Sequence, residues 1–171
     1  MPALALYLIR HARAAERGAR HRDDAERPLL TEGEAQARII AEALMRLGVR
    51  LERLASSPLL RARQTAEPLR ALGGGELMLE GALAQGDPHE TARALRELSV
   101  GSRSGPVAAV GHEPSLSRLA AHLLCGSPSC LSALFPPAAV MVLTGELRAG
   151  GMALSGFWPE HALRTLLASG D

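Results

Sequence analysis

The chain reads as an α/β protein in three layers: a largely parallel central sheet with helices on both faces. Three observations predict it. Short apolar runs alternate with stretches of helical periodicity, the pattern of strands buried on both faces and joined by helical crossovers. Two of these runs, 4–9 and 107–110, stop abruptly at Arg10–His11 and Gly111–His112. Glycine and proline fall mostly between the runs, where they punctuate the elements.

The first strand is expected over 3–9, followed by an arginine-rich polar loop over 12–27. Thr31 is placed to cap a long helix, with Glu34 three residues later completing a capping box. Gln36, Ile39, Ile40, Ala43, Leu44 and Leu47 follow at helical spacing, and Gly48 stops the run. A second strand over 51–55 ends at Ser56–Ser57, and Pro58 sits at the first position of a helix that extends to Leu72. After the triple glycine Gly73–Gly75 come a third strand over 76–80, a turn at Gly86–Asp87–Pro88 and a helix over 89–98. A loop rich in Gly and Ser leads to a strand over 106–110 and a helix over 114–124. Segments 138–143 and 152–157 bracket a Gly-rich turn as two closing strands, and a last helix covers 160–168. With no internal repeat, the 171 residues read as one domain, 1–171, long enough to bury roughly 70% of the extended-chain surface.

Composition excludes several functions. Aromatic residues make up 2% of the chain, so Leu, Ala, Val and Ile must fill the core. A net charge of +1 gives no electrostatic reason to expect nucleic acid or a membrane as partner. All 19 basic side chains are arginine, which rules out a P-loop lysine, a Schiff base and a Ser–Lys dyad. Arg10 interrupts the N-terminal apolar run and no basic segment precedes it, unlike a signal peptide. No run approaches the roughly 20 apolar residues of a membrane span. A soluble, cytoplasmic protein is expected, with no cofactor and no metal, and nothing indicates its oligomeric state. Cys125 and Cys130 lack zinc-site spacing and read as one buried and one loop thiol, a local disulfide being left open. Leu131, Leu134 and Phe135 beside Pro136–Pro137 read as core packing in preference to a contact patch.

Ligands of open α/β sheets bind in the crevice outside the strand carboxyl ends. Phosphoryl transfer to a protein nucleophile needs a neutral imidazole whose second nitrogen is tied down. It also needs rigid donors for the phosphoryl oxygens, a role suited to the planar arginine fork. His11 supplies the imidazole and Arg10 a fork beside it. In Ser57-Pro58-Leu59-Leu60-Arg61 a second arginine stands on the first turn of a helix, whose N-terminal amides favour anions. His112 is a further donor. Taken singly, each has a bland reading, a hydrogen-bonded strand-end histidine or a surface arginine. Together at one rim they predict a phosphate-handling site.

Leu8-Ile9-Arg10-His11-Ala12 resembles the signature of the histidine phosphatase superfamily, which includes phosphoglycerate mutases. The similarity continues in Arg27-Pro28-Leu29-Leu30-Thr31-Glu32-Gly33, in Ser57-Pro58-Leu59-Leu60-Arg61-Ala62-Arg63-Gln64-Thr65-Ala66 and in Val110-Gly111-His112-Glu113-Pro114. These four blocks fall in order across about two-thirds of the chain. The segment Asp24-Ala25-Glu26-Arg27-Pro28-Leu29 and the short chain are most similar to SixA-type phosphohistidine phosphatases. The resemblance implies a phosphoglycerate mutase-like fold, with His11 as the phosphorylated nucleophile and Arg10, Arg61 and His112 binding the phosphoryl oxygens. Arg27 either reaches the pocket rim to bind substrate or orders the loop by pairing with Asp23 or Asp24. Thr31 and Gly33 read as a helix start. His21, His89, His122 and His161 match no catalytic position and read as surface or packing residues.

One departure from the family pattern bears on substrate. Many members carry a general-acid glutamate just after the third strand, but Gly81-Ala82-Leu83-Ala84-Gln85-Gly86-Asp87 offers none. Glu80, Asp87 and Glu113 are the nearby carboxylates, and solvent is the remaining proton source. Missing general-acid help costs on the order of 10²–10⁴ in rate for a poor leaving group. Phosphohistidine suffers less, because imidazole can take its proton from solvent and depart neutral. Only about 25 residues separate the third strand from the one ending at Val110, which leaves a shallow pocket suited to a phosphorylated side chain on a partner protein. Glu113 itself reads as opening the helix after His112. The expected activity is dephosphorylation of phosphohistidine on a partner protein through a phosphohistidine enzyme intermediate. The alternatives are a phosphomonoesterase for small sugar or nucleoside phosphates, using Asp87 or Glu113 as acid, and a non-catalytic phosphoprotein-binding domain. A mutase, which wants an enclosed site, fits least.

Overall fold

A computed structural model describes residues 4–18, 23–99 and 105–169. Six strands make one sheet: β1 (Leu4–Arg10), β2 (Arg53–Ser56), β3 (Leu77–Leu79), β4 (Val107–Gly111), β5 (Val140–Gly145) and β6 (Met152–Trp158), in the order β3-β2-β4-β1-β5-β6. The strands from β3 to β1 are parallel. β5 joins β1 antiparallel and β6 closes a hairpin on it. Helical crossovers join the parallel strands; β5, although reached from β4 through a helix, runs antiparallel to β1, and a short Gly-rich turn joins it to β6, since only an antiparallel pair can be joined so briefly.

Among the described residues six α-helices cover it: α1 (Thr31–Arg46), α2 (Leu60–Ala66), α3 (Ala82–Gln85), α4 (Pro88–Ser99), α5 (Ser115–Cys125) and α6 (Glu160–Ala168). Alternation along the strands sorts them into two cores. Ile9, Ala108 and Val110 pack with Ile40 and Leu44 of α1, Ala62 of α2 and Leu163 of α6. Leu6, Leu8, Val107 and Ala109 point the other way, onto Leu83 of α3, Leu95 of α4 and Leu116 and Leu119 of α5. The three layers expected from the sequence are present. Among the described residues no helix is long and apolar enough to cross a membrane.

Several local expectations are corrected. Thr31 is the first residue of α1, not its cap; Leu30 holds the cap position and makes no side-chain cap bond. The start of α1 is fixed from outside instead, by the Leu30 N–H donating to Arg13 O at 3.0 Å. The helix expected to run unbroken to Leu72 is α-helical only to Ala66 and continues as a 3-10 helix over Glu67–Leu72. Pro68, which has no N–H to donate, stands at the change. The four-residue α3 was not expected. Cys125 is exposed at the end of α5, and both cysteines are free thiols. Phe135 is core, whereas Leu131 and Leu134 are exposed. Ala3 and His21 lie outside the described residues.

The topology gathers the chemistry at one rim. The chain leaves β1 for β2, passing over the place that β4 later fills between them. Arg10 pairs with Gly111 in the parallel β1–β4 register. The next residue on each strand, His11 and His112, therefore emerges at the same edge. That edge is the switch-point crevice where ligands of such sheets bind.

Candidate active site

The His11 main-chain N–H donates to Gly111 O at 3.0 Å, which anchors the residue at the strand end. Its Nδ1 lies 2.7 Å from the carbonyl oxygen of Ala12. A carbonyl only accepts, so Nδ1 carries the hydrogen and the Nε2 lone pair is free. Burial lowers the pKa of this ring to about 4, against the opposing bond to Ala12 and with help from the charges of Arg61, Arg10 and Arg27. At neutral pH it is an uncharged base among cations.

The rings of His11 and His112 stand 5.0 Å apart, centroid to centroid. His112 Nε2 lies 2.8 Å from Ser57 Oγ. That hydroxyl accepts from Leu59 N and meets no other acceptor among the described residues, which leaves its hydrogen for Nε2. In the neutral tautomer this assigns, the proton sits on Nδ1, which is buried and has no partner among the described residues. Burial, then the proximity of His11 and Arg61, lowers the His112 pKa to about 3.

Arg61, on the first turn of α2, is buried. It donates through two nitrogens to Asp24, at 2.7 Å to the main-chain oxygen and 3.0 Å to Oδ2. Arg10 donates to Phe135 O at 2.5 Å. Five buried side-chain polar atoms lack partners among the described residues: Arg10 Nε, Arg61 Nε, His112 Nδ1, Glu113 Oε1 and His122 Nδ1. Four of them belong to residues lining one cavity of about 320 Å³, and three of those carry N–H groups. Buried N–H donors are normally paired, so three left open around one cavity fit an oxyanion that would accept from them.

Arg27 stands at the rim and pairs with Asp24 within its loop. It donates to Asp24 Oδ1 at 2.8 Å and to Ala15 O at 2.7 Å. Burial alone would raise the Asp24 carboxyl, but bonds and charge from Arg61 and Arg27 hold it below its ordinary value. Asp24 thus fixes two guanidiniums, a role that sequence reasoning missed for Arg61. Arg13 also lines the cavity and was not foreseen. Ser57, which orients His112, and Thr65 are further residues of the site that the sequence did not single out, although both stand in the family-like segment 57–66. Thr65 Oγ1 accepts from Ala12 N at 3.0 Å and donates to Arg61 O at 2.7 Å, tying the His11 loop to α2.

The three carboxylates weighed as acids separate clearly. Glu113 lines the cavity. Glu80 instead caps Ala82 N at 2.9 Å and faces a separate cleft of about 450 Å³ where three glutamates meet one arginine, a poor home for a phosphoryl dianion. Asp87 caps α4, and N–H bonds from Glu90 and His89 hold its carboxyl below the usual range, ionised and ill suited to donate a proton. Of the histidines set aside, His122 is buried against the exposed His89 at 4.2 Å, while His161 is exposed.

Residues 6–113 match the model of the histidine phosphatase superfamily, branch 1. An uncharacterized protein of Picosynechococcus sp. is 37% identical over 123 residues, 71% of this chain and 73% of that one. The protein histidine phosphatase SixA, solved with tungstate, superposes with a TM-score of 0.80 at 26% identity, over 94% of this chain and 99% of its own. A mycobacterial glucosyl-3-phosphoglycerate phosphatase shares the fold at a TM-score of 0.69 and 19% identity, over 90% and 97%.

Proposed function

Because the chain belongs to the histidine phosphatase superfamily, we propose that it is a phosphatase working through a phosphohistidine at His11, and that its substrate is phosphohistidine on a partner protein. The observation that carries this reading is that Arg10, Arg61 and His112, each with a buried N–H group lacking a partner among the described residues, line one cavity with an imidazole whose tautomer leaves Nε2 free.

The reaction runs in two displacements. His11 Nε2 attacks phosphorus and the bond from phosphorus to the substrate nitrogen breaks. The released imidazole leaves neutral, its proton supplied by solvent. Water then attacks the phosphoryl group on His11, giving inorganic phosphate and the original ring. Arg10, Arg61 and His112 hold the three equatorial oxygens through both steps, and Arg27 meets charge at the rim. That the structurally similar SixA was solved in complex with tungstate, itself an oxyanion, supports anion binding as a capacity of this fold.

A second reading has one observation in its favour. Glu113 lies in the cavity with Oε1 unpartnered, where a carboxyl can serve the leaving alkoxide of a small phosphomonoester. A substrate panel separates the two. Wild type treated with phosphoramidate is expected to carry acid-labile, alkali-stable phosphate that is absent from His11→Ala. Phosphohistidine is expected to be turned over with a kcat/KM well above that of alkyl phosphates. Comparable efficiency on alkyl phosphates, with a loss in Glu113→Gln on the order of 10² or more, establishes the second reading instead. No phosphoenzyme in wild type would leave only a phosphate-binding domain.

A further inference from the structure

A second cleft, of about 230 Å³, adjoins the catalytic cavity and shares Arg13 and Pro137 with it. Its other walls include Pro136, Pro159, Gln36 and Glu160. We propose that this cleft binds the main chain of a polypeptide substrate beside its phosphorylated residue. The inference rests on the reading of His11 given above and narrows its substrate class.

Gln36 carries the argument. It is 8% exposed, and its Oε1 accepts from the Arg13 main-chain N–H at 3.0 Å. That bond fixes the orientation of the carboxamide, because an oxygen must face the donor. The Nε2 hydrogens are then turned away from Arg13, have no partner among the described residues, and belong to a side chain that lines the cleft. A fixed N–H donor in a cleft also lined by Pro136, Pro137 and Pro159 suits a main-chain carbonyl flanked by apolar atoms.

Charge argues for the same occupant. The Arg13 guanidinium is bound to both carboxylate oxygens of Glu32, at 3.1 and 3.0 Å. Glu160 is bound by Arg164 at 3.1 and 2.5 Å. Apart from the imidazole of His161, which also stands on its wall, the cleft thus offers only already paired charges to the second phosphate of a nucleotide or a bisphosphorylated sugar. An uncharged chain meets no such mismatch. The shared wall of Arg13 and Pro137 places the cleft directly beside the catalytic cavity, as a residue next to the phosphorylated one requires.

The test compares free N-phosphohistidine with phosphohistidine peptides of three, five and nine residues in the full-length protein. One hydrogen bond and a few apolar contacts predict a kcat/KM about tenfold higher for the longer peptides. In Gln36→Glu an acceptor still faces the Arg13 N–H but the donor into the cleft is gone, so the peptide-to-free ratio is expected to fall toward one. Pro159→Gly, which leaves Gln36 intact, is expected to lower the same ratio more weakly. Labelling of His11 by phosphoramidate is measured alongside. If labelling occurs but the ratio is independent of length, or identical in Gln36→Glu and wild type, the cleft assignment fails alone. If His11 does not label, the reading of the site fails and the cleft assignment with it. A larger gain from a nucleoside or sugar moiety than from peptide would give the cleft to a small molecule and overturn the proposal.

Discussion

As the proposed nucleophile His11 has to be neutral, and its surroundings keep it so. Protonation would place a cation in a half-buried position beside three guanidiniums, and the pKa is accordingly lowered to about 4. The imidazole C–H resonances of His11 in the free protein should titrate with a midpoint near 4; a midpoint near 6.5 would contradict the geometry. Orientation matters as much as charge. Ser57→Ala removes the hydroxyl that fixes the His112 tautomer at 2.8 Å. It should lower kcat/KM by about tenfold, the worth of one hydrogen bond of about 1.4 kcal/mol, with the fold intact by circular dichroism. Asp24→Asn takes the carboxylate from a buried Arg61. On the order of 2 kcal/mol of stability should be lost, read from urea denaturation. The residues gathered around the cavity, His11, Arg10, Arg61 and His112, were legible in the sequence because each sits beside a strand or helix end, which is local information. Asp24 and Ser57 as partners were not, since those bonds span 37 and 55 residues and exist only once α2 and β4 reach the same rim.

At the level of elements, the site depends on how closely α1 and α2 approach the loop after β1. A Cβ on Gly33 would lie 1.9 Å from Arg13 O, a main-chain atom that cannot step aside. Gly33→Ala must therefore push α1 away from the segment that carries His11 and Arg13. It should cost more than about 2 kcal/mol and most of the activity, measured by thermal denaturation and steady-state rates. Gly48→Ala, where nothing lies within 4 Å of the added carbon but φ is +74°, should cost stability with little effect on rate. If both variants behave alike, the close approach is not what positions the site. Periodicity alone located the last helix at its observed limits and most strands to within a residue or two. It failed where the cause was not periodic. The start of α1 is set by a tertiary bond, the break after Ala66 by one proline, and α3 is too short to show a repeat.

Across the whole molecule, folding assembles four arginines and two neutral histidines around one cavity, so the native state repels protons and attracts anions. The sign follows from linkage. Unfolded histidine binds a proton near pH 6.5, whereas His11 and His112 in the native state do so only near 4 and 3. Between these values the unfolded chain holds more protons, so stability is full above about pH 6.5 and falls as pH drops toward 4. A bound dianion reverses part of this, because its charge favours the protonated rings and satisfies the orphaned N–H groups of Arg10, Arg61 and His112. Sulfate stays doubly charged across the window and is a suitable probe. At one hundred times its Kd it should stabilise the fold by about 2.7 kcal/mol, raising Tm by roughly 5–10 °C for a chain of this size. At one fixed concentration of sulfate the rise should be larger at pH 5.5, where binding is tighter, than at pH 7.5, and should largely vanish in Arg61→Ala. Differential scanning fluorimetry at the two pH values, with Kd measured independently by calorimetry, decides the matter. A shift that is equal at both values, or that survives the loss of Arg61, would mean that sulfate binds elsewhere and that these donors do not form one anion site.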